Sequence, residues 1–119
     1  MKRLNLRNLG IVSTDSRTTP LRLGVTGIAT GFSGVDMVRD MRGAPDIFGR
    51  PLTSTQINVI DALASMAVLL MGEGAEQTPI VILRGFDGIR FSDDGCMEKF
   101  KISPEIDIYQ PLLDVMMRK

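Results

Sequence analysis

Residues 15–34, DSRTTPLRLGVTGIATGFSG, decide how this chain of 119 residues folds. Read with period two from Val25, one strand face carries Gly27, Ala29, Gly31 and Ser33, and the other carries Thr26, Ile28, Thr30 and Phe32. One face is almost bare. Glycine weakens a strand interior through backbone entropy and marks a place where a ligand or a second backbone comes close. Tight sheet packing and ligand approach both account for it. Upstream, Leu9, Ile11 and Val12 read as a strand over residues 4–14, closed by Ser13, Thr14, Asp15 and Ser16. Asp15 is then either a turn cap or a carboxylate placed at a strand end for chemistry. Pro20 keeps Thr19 extended and forces a corner, with Arg17 and Arg22 on either side.

The composition narrows the chemistry. With 44% apolar residues the chain suffices for one domain with a core. Formal net charge is zero, there is no tryptophan, and one tyrosine and five phenylalanines are the aromatic complement. That leaves neither a basic footprint nor a stacking platform, so nucleic acid is not expected as a partner. The longest uncharged stretches, residues 24–35 and 62–72, fall short of the roughly 20 apolar residues of a membrane span. Asn5, Arg7 and Asn8 interrupt any signal-peptide core, and the single cysteine, Cys96, forms no internal disulfide. A cytoplasmic protein without a membrane partner is the expectation.

Histidine is absent. This removes the Ser-His and Cys-His nucleophile pairs, the imidazole base and histidine-ligated transition metals. A bound metal would be a hard cation, magnesium, manganese or calcium, held by oxygen. Between Arg3 and Glu98 every cationic side chain is arginine, whose planar fork grips carboxylate and phosphate in two places. Arg17, Arg22, Arg42 and Arg50 are the candidate anion-binding groups.

Further along, Gly43, Pro45, Gly49 and Pro51 exclude a long helix over residues 35–52, which reads as a short helical turn and then a loop. Its charges, Asp36, Arg39, Asp40, Arg42, Asp46 and Arg50, alternate in sign, as surface pairs or as a rim around a polar ligand. Thr53 and Gln56 form a possible capping box for a largely buried helix ending at Met71, whose narrow polar stripe is Asn58, Asp61 and Ser65. Asp61 reads as structural. Gly72 or Gly74 stops the helix, and Glu73 and Glu76 join its negative dipole end, so this loop prefers cations and takes a phosphate only with its metal. Residues 79–83 read as a strand returning onto the sheet, residues 89–91 and 97–102 as a hairpin, and Ser103-Pro104-Glu105 as the start of a C-terminal helix.

Several spaced motifs now fall in one order: Asp15-Ser16, Pro20-Leu21-Arg22-Leu23-Gly24, Gly27-Ile28-Ala29-Thr30-Gly31, Asp40-Met41-Arg42-Gly43, Asp46, Phe48-Gly49-Arg50, Leu70-Met71-Gly72-Glu73-Gly74, Pro79 and Arg84-Gly85. Over residues 9–85 the chain resembles the C-terminal half of the coenzyme F420-0:gamma-glutamyl ligase family. Members use GTP and a divalent metal, Mg2+ or Mn2+, to join glutamate through its amino group to a carboxylate of a deazaflavin precursor. The resemblance implies that Asp15 is a metal ligand with Ser16 beside it and that Glu73 is near the same metal. It further implies that Leu69, Leu70, Met71, Gly72, Glu73, Gly74, Ala75 and Glu76 form a nucleotide-binding segment. In such a ligase the acid is activated as an acyl phosphate, and the amine then displaces phosphate from it. No catalytic residue is assigned. Thr18-Thr19 departs from the Gly-Arg common before the family's proline, and the family's N-terminal half has no counterpart.

The expected architecture is a single α+β (α/β) domain with a mixed β-sheet, one long buried helix and a C-terminal helix. A ligase-like core spans residues 9–85, and a hairpin and helix occupy residues 86–119. The expected function is a GTP- and metal-dependent amide ligase acting on GTP, glutamate and a carboxylate-bearing acceptor. Its expected assembly is a homodimer or a complex with a chain that supplies the missing half. The alternative is a non-catalytic nucleotide- or metal-binding or assembly module.

Overall fold

A glycine-lined strand and an alanine-rich helix make the centre of the fold. In the computed structural model, which describes residues 5–117, β1 (Ile11–Thr18) pairs antiparallel with β2 (Val25–Ser33). The register slips between Ser13 and Thr14, so Thr30 has no partner across the pair, and such a bulge bends and twists the hairpin. At its tip the Arg22 N–H donates to the Thr19 carbonyl at 3.2 Å, and Leu21 is held at φ 59°, a region uncommon for a side chain of that kind.

The bare face of β2 packs on α1 (Val59–Met71). A Cβ at Gly27 would overlap the Ala64 carbonyl and crowd Val68. Glycine is required there because a second backbone arrives, which is the packing reading of that face. The Ser65 hydroxyl donates to the Gly27 carbonyl at 2.9 Å, which leaves Thr26 as the donor in the 2.9 Å Thr26–Ser65 hydroxyl contact.

The helix is shorter and less covered than its apolar pattern predicts. Gln56–Asn58 is not a first helical turn but a strand, β4, paired antiparallel with β3 (Val38–Asp40). Asn58, not Thr53, is the cap, its Oδ1 accepting the Asp61 N–H at 3.1 Å. Only Ile60 and Ala64 are fully buried in α1, and Leu69 is 83% exposed. Two strands are too narrow to cover a helix that is apolar on most of its circumference.

Residues 38–58 fold as one irregular hairpin, which replaces the helical turn and loop expected over residues 35–52 and the helix start expected after Thr53. Beyond the β3–β4 pair, the Met41 N–H donates to Thr55 at 3.1 Å and the Gly43 N–H to Leu52 at 2.8 Å. Pro45 faces Pro51 across it, and the Asp46 N–H donates to Arg50 at 2.8 Å at the tip. Proline lacks the ladder donor but occupies a non-bonded pair without loss.

Among the described residues no strand follows Asn58. The expected strand at 79–83 forms no ladder, and the expected C-terminal hairpin is replaced by α2 (Met97–Phe100), a 3-10 turn (Pro104–Ile106) and α3 (Gln110–Met117). The physical reason lies in the packing of Met97 and Phe100: spaced by three, both rest on the core, which suits a helical turn rather than a period of two. Met116 and Met117 are exposed. The fold is α+β, with its strands in two antiparallel two-stranded sheets instead of one. Its core is Ala29, Val35, Ile60 and Ala64, flanked by Val12, Phe32, Met37, Ile89, Met97 and Phe100. No helix of the described residues is long and apolar enough to cross a membrane.

Candidate functional site

The site begins with the pleat of β1. Ser16 lies opposite Gly27 and is half-buried, whereas Asp15 lies opposite Ile28 and is exposed. Alternation therefore turns Ser16 toward the helix side and Asp15 outward. Asp15 also sits within the strand, which runs on to Thr18, rather than at its close. Because Gly27 lets α1 approach, the loop after the helix passes over this part of β1. There the Ser16 hydroxyl donates to Glu73 Oε2 at 3.1 Å, while Asp15 Oδ1 accepts the Ser16 backbone N–H at 2.7 Å. Ser16 thus bonds both acids, Asp15 through its backbone N–H and Glu73 through its hydroxyl.

The segment Leu69–Glu76 comprises the last turn of α1 and its exit. Gly72 caps the helix at φ 78°, its N–H donating to the Val68 carbonyl at 2.9 Å. The Glu76 carboxylate folds back over the turn, accepting the Gly74 N–H at 2.7 Å, and a Cβ at Gly72 would overlap it. The loop's own acid thus occupies a backbone donor that an anionic ligand would need. Met71 is half-buried, Leu69 and Leu70 point outward, and Ala75 is exposed.

Two of the four candidate anion-binding arginines are engaged within the 38–58 hairpin. Arg42 is forked onto Asp40, with Nε at 2.9 Å from both carboxylate oxygens, and its backbone N–H adds a bond at 2.9 Å. The Arg42 side chain first, and its N–H second, hold the Asp40 carboxyl well below its ordinary 3.8, at about 2. Arg50 bonds Asp46 at 3.1 Å and stacks over the Phe48 ring at 5.2 Å. The Arg50 backbone N–H is the main cause lowering the Asp46 carboxyl. Arg17 and Arg22 are exposed on the β1–β2 hairpin and make no ion pair among the described residues.

Two small clefts lie elsewhere. One, of about 120 Å³, is lined by Asp36, Arg39, Asp40, Val59, Gly88 and Arg90 among others, and another, of about 180 Å³, lies beside it under Phe86 and Met66. Neither is lined by a residue expected to hold metal, nucleotide or anion, but Asp36, Arg39 and Asp40, read in sequence as surface pairs or as a rim around a polar ligand, line the first. Arg39 stands in the charged connector, but Arg90 carried no signal in sequence. The C-terminal segment brings it there, where the Arg90 carbonyl accepts the Asp36 N–H at 2.9 Å.

A divalent metal tests the donor set directly. Asp15, Ser16 and Glu73 offer two carboxylates and a hydroxyl, all oxygen, the class that magnesium and manganese take. Among the described residues no group of three or more Asp, Glu, His or Cys gathers to hold a metal. By donor type the three suit a hard cation, and a complete shell would take further oxygens from water, a phosphate or further polypeptide.

Comparison with known proteins bears on the same residues. The family described as F420-0:Gamma-glutamyl ligase matches residues 1–85. A protein named Coenzyme F420:L-glutamate ligase from Methanocaldococcus jannaschii is 42% identical over 85 residues, 71% of this chain and 34% of its own length. Its namesake from Methanothermobacter thermautotrophicus is 34% identical over 104 residues, 87% of this chain and 41% of its own length. A third, from Archaeoglobus fulgidus, is 37% identical over 107 residues, 90% of this chain and 42% of its own length. The similarity thus extends beyond residues 9–85, and the chain spans between a third and a half of the length of these curated relatives.

Proposed function

This chain belongs to the F420-0:gamma-glutamyl ligase family, and from that membership we propose that it forms part of the active site of a GTP- and divalent-metal-dependent amide ligase. The reaction joins the amino group of L-glutamate to a carboxylate of its acceptor, with GTP as co-substrate. The observation that carries this reading is the Ser16–Glu73 hydrogen bond at 3.1 Å. It ties the strand bearing Asp15 to the loop 69–76 across 57 positions of sequence.

In this reading Asp15, Ser16 and Glu73 hold Mg2+ or Mn2+ through oxygen. The cation supplies charge neutralisation at the phosphate oxygens when bound. Glu76 leaves the Gly74 N–H as the nucleotide arrives, and Arg17 and Arg22, exposed at the hairpin, take up anionic charge. Activation of an acid as an acyl phosphate followed by amine attack needs no histidine, in keeping with a sequence that has none.

Calorimetric titration of the purified chain with GTP, with and without Mn2+, tests the proposal. Metal-dependent binding that Asp15→Ala abolishes is the expected result. Absence of binding under both conditions defeats it and leaves the second reading, a non-catalytic assembly module.

A further inference from the structure

The two clefts beside β3 form one groove with two chemistries. Arg39, Val59 and Gly88 line both, so the clefts share a wall. The cleft of about 120 Å³ is charged, with Asp36, Arg39 and Arg90 on its lining. The cleft of about 180 Å³ is mainly apolar, lined by Ile57, Leu63, Met66, Phe86 and Ile89, with Asp87 its one carboxylate. Ile57 is 45% and Phe86 42% exposed, which leaves apolar surface wet inside a concavity. Apolar walls with a few convergent polar groups are the make-up of a small-molecule site.

The charges of this groove differ from those of the neighbouring hairpin. Arg42 and Arg50 are each held by a carboxylate, whereas the side chains of Arg39 and Arg90 make no ion pair among the described residues. Asp36 is half-buried and makes none there either. Asp40 also lines the charged cleft, but Arg42 takes its carboxylate. Two backbone features place the remaining groups. The Asp36 N–H donates to the Arg90 carbonyl at 2.9 Å, which joins the residue bearing the acid to one bearing a guanidinium. Gly88, at φ 89°, has no side chain, and a Cβ there would stand 2.7 Å from Arg39 Nη1. The Arg39 guanidinium therefore lies over bare backbone at the wall common to both clefts.

The first turn of α1 offers this groove no backbone donor. The Val59 and Ile60 N–H groups both go to the Met37 carbonyl, at 3.0 and 3.4 Å, and the Asp61 N–H goes to Asn58. An anionic group in the charged cleft has to be gripped by the two guanidinium groups. A simple anion would also be repelled by Asp36, while a zwitterion satisfies all three charges.

We propose that this groove binds a free α-amino acid with an apolar side chain. Arg39 and Arg90 donate to its carboxylate, Asp36 accepts from its ammonium group, and its side chain lies in the apolar cleft against Phe86 and Met66. The groove reaches α1 at Val59, its first residue, whereas Glu73 follows its last, and the 13 residues of the helix put roughly 20 Å between them. The proposal rests on neither the metal nor the nucleotide reading, so the two fail separately.

An NMR titration of the purified chain, without metal or nucleotide, tests it with four probes: L-phenylalanine, L-glutamate, 3-phenylpropanoate and 2-phenylethylamine. L-phenylalanine is expected to bind and to shift the amides of residues 36–39 and 88–90. The two analogues that lack one charge should bind about tenfold or more weakly, and so should L-glutamate, which would carry a second carboxylate into the apolar cleft. Arg39→Gln and Arg90→Gln each weaken L-phenylalanine about tenfold or more, and Arg90→Lys, which keeps the charge but loses the fork, falls between. Asp36→Asn weakens L-phenylalanine without weakening 3-phenylpropanoate. Both arginines are exposed, and the same spectra show that each variant is folded. Absence of L-phenylalanine binding overturns the proposal, as does binding whose shifts lie away from the groove. Equal affinity for L-phenylalanine and 3-phenylpropanoate, or for L-phenylalanine and L-glutamate, overturns it as well.

Discussion

The carboxylate of Asp61, in the first turn of α1, accepts the backbone N–H of Ala29 in β2 at 2.8 Å. Ala29 adjoins the bulge at Thr30, where the β1–β2 ladder is interrupted, so a side chain from the helix satisfies a strand donor. The second oxygen of Asp61 accepts from the Asn58 side-chain amide at 2.7 Å, and the Asp61 N–H returns to Asn58. One carboxylate thus fixes both the start of the helix and its seat on the sheet. Asp61→Ala leaves the part-buried Ala29 N–H without a partner and is expected to cost about 2 kcal/mol. Asp61→Asn keeps an acceptor and should recover a good part of that, as read by urea denaturation.

Gly27 is the position where strand and helix backbones meet. Gly27→Ala drives a methyl group into the Ala64 carbonyl, and neither backbone can yield without moving the core, so a loss of about 2–3 kcal/mol is expected. Gly43→Ala makes a useful contrast: its φ of 83° is strained for alanine, but nothing lies within 4 Å. About 1 kcal/mol is expected there. Equal losses at the two sites in thermal or chemical unfolding would contradict the close approach.

Ser16 links Asp15 to the loop after α1. On the proposed metal role, Ser16→Ala removes a neutral oxygen ligand together with the donor that orients Glu73 and weakens Mn2+ binding by about tenfold, while Glu73→Gln removes a charged ligand and weakens it further. Electron paramagnetic resonance of free Mn2+ reads both. An unchanged affinity in Glu73→Gln would remove that residue from the shell.

Asp40 should titrate near 2, not near 3.8, because Arg42 stabilises its charged form. Since the folded value lies below the unfolded one, the Asp40–Arg42 contribution is complete above about pH 4 and is lost as pH falls through about 2. The pair is well exposed, so the effect is local order in the 38–58 hairpin and not global stability. Carboxyl chemical shifts followed by NMR give the midpoint, and Arg42→Gln should return it toward 3.8.

How far the chain could be read in advance depended on the range of the forces involved. A glycine stop at 72 or 74 and the structural role of Asp61 follow from local rules of capping. The hairpin over residues 38–58 was hidden because Pro45 and Pro51 read as loop residues until they face one another. The α1 boundary was misread because residues 53–58 carry a capping signature, yet pairing with β3 outweighs it. Arg42 and Arg50 looked like ligand groups, and each had a carboxylate two or four positions away to hold it.

By itself the sequence determined the chemical vocabulary and the local elements: oxygen donors without imidazole, an α+β composition, a glycine-lined strand and a helix stopped by a glycine at 72 or 74. These depend on residue identity and on neighbours within a few positions. Only the tertiary structure decided that Gly27 receives Ala64, that Ser16 reaches Glu73, and that residues 79–83 stay without a ladder. Each of those outcomes is a contact, made or left unmade, between distant segments. Its free energy depends on which surfaces meet, and periodicity along one chain does not encode that.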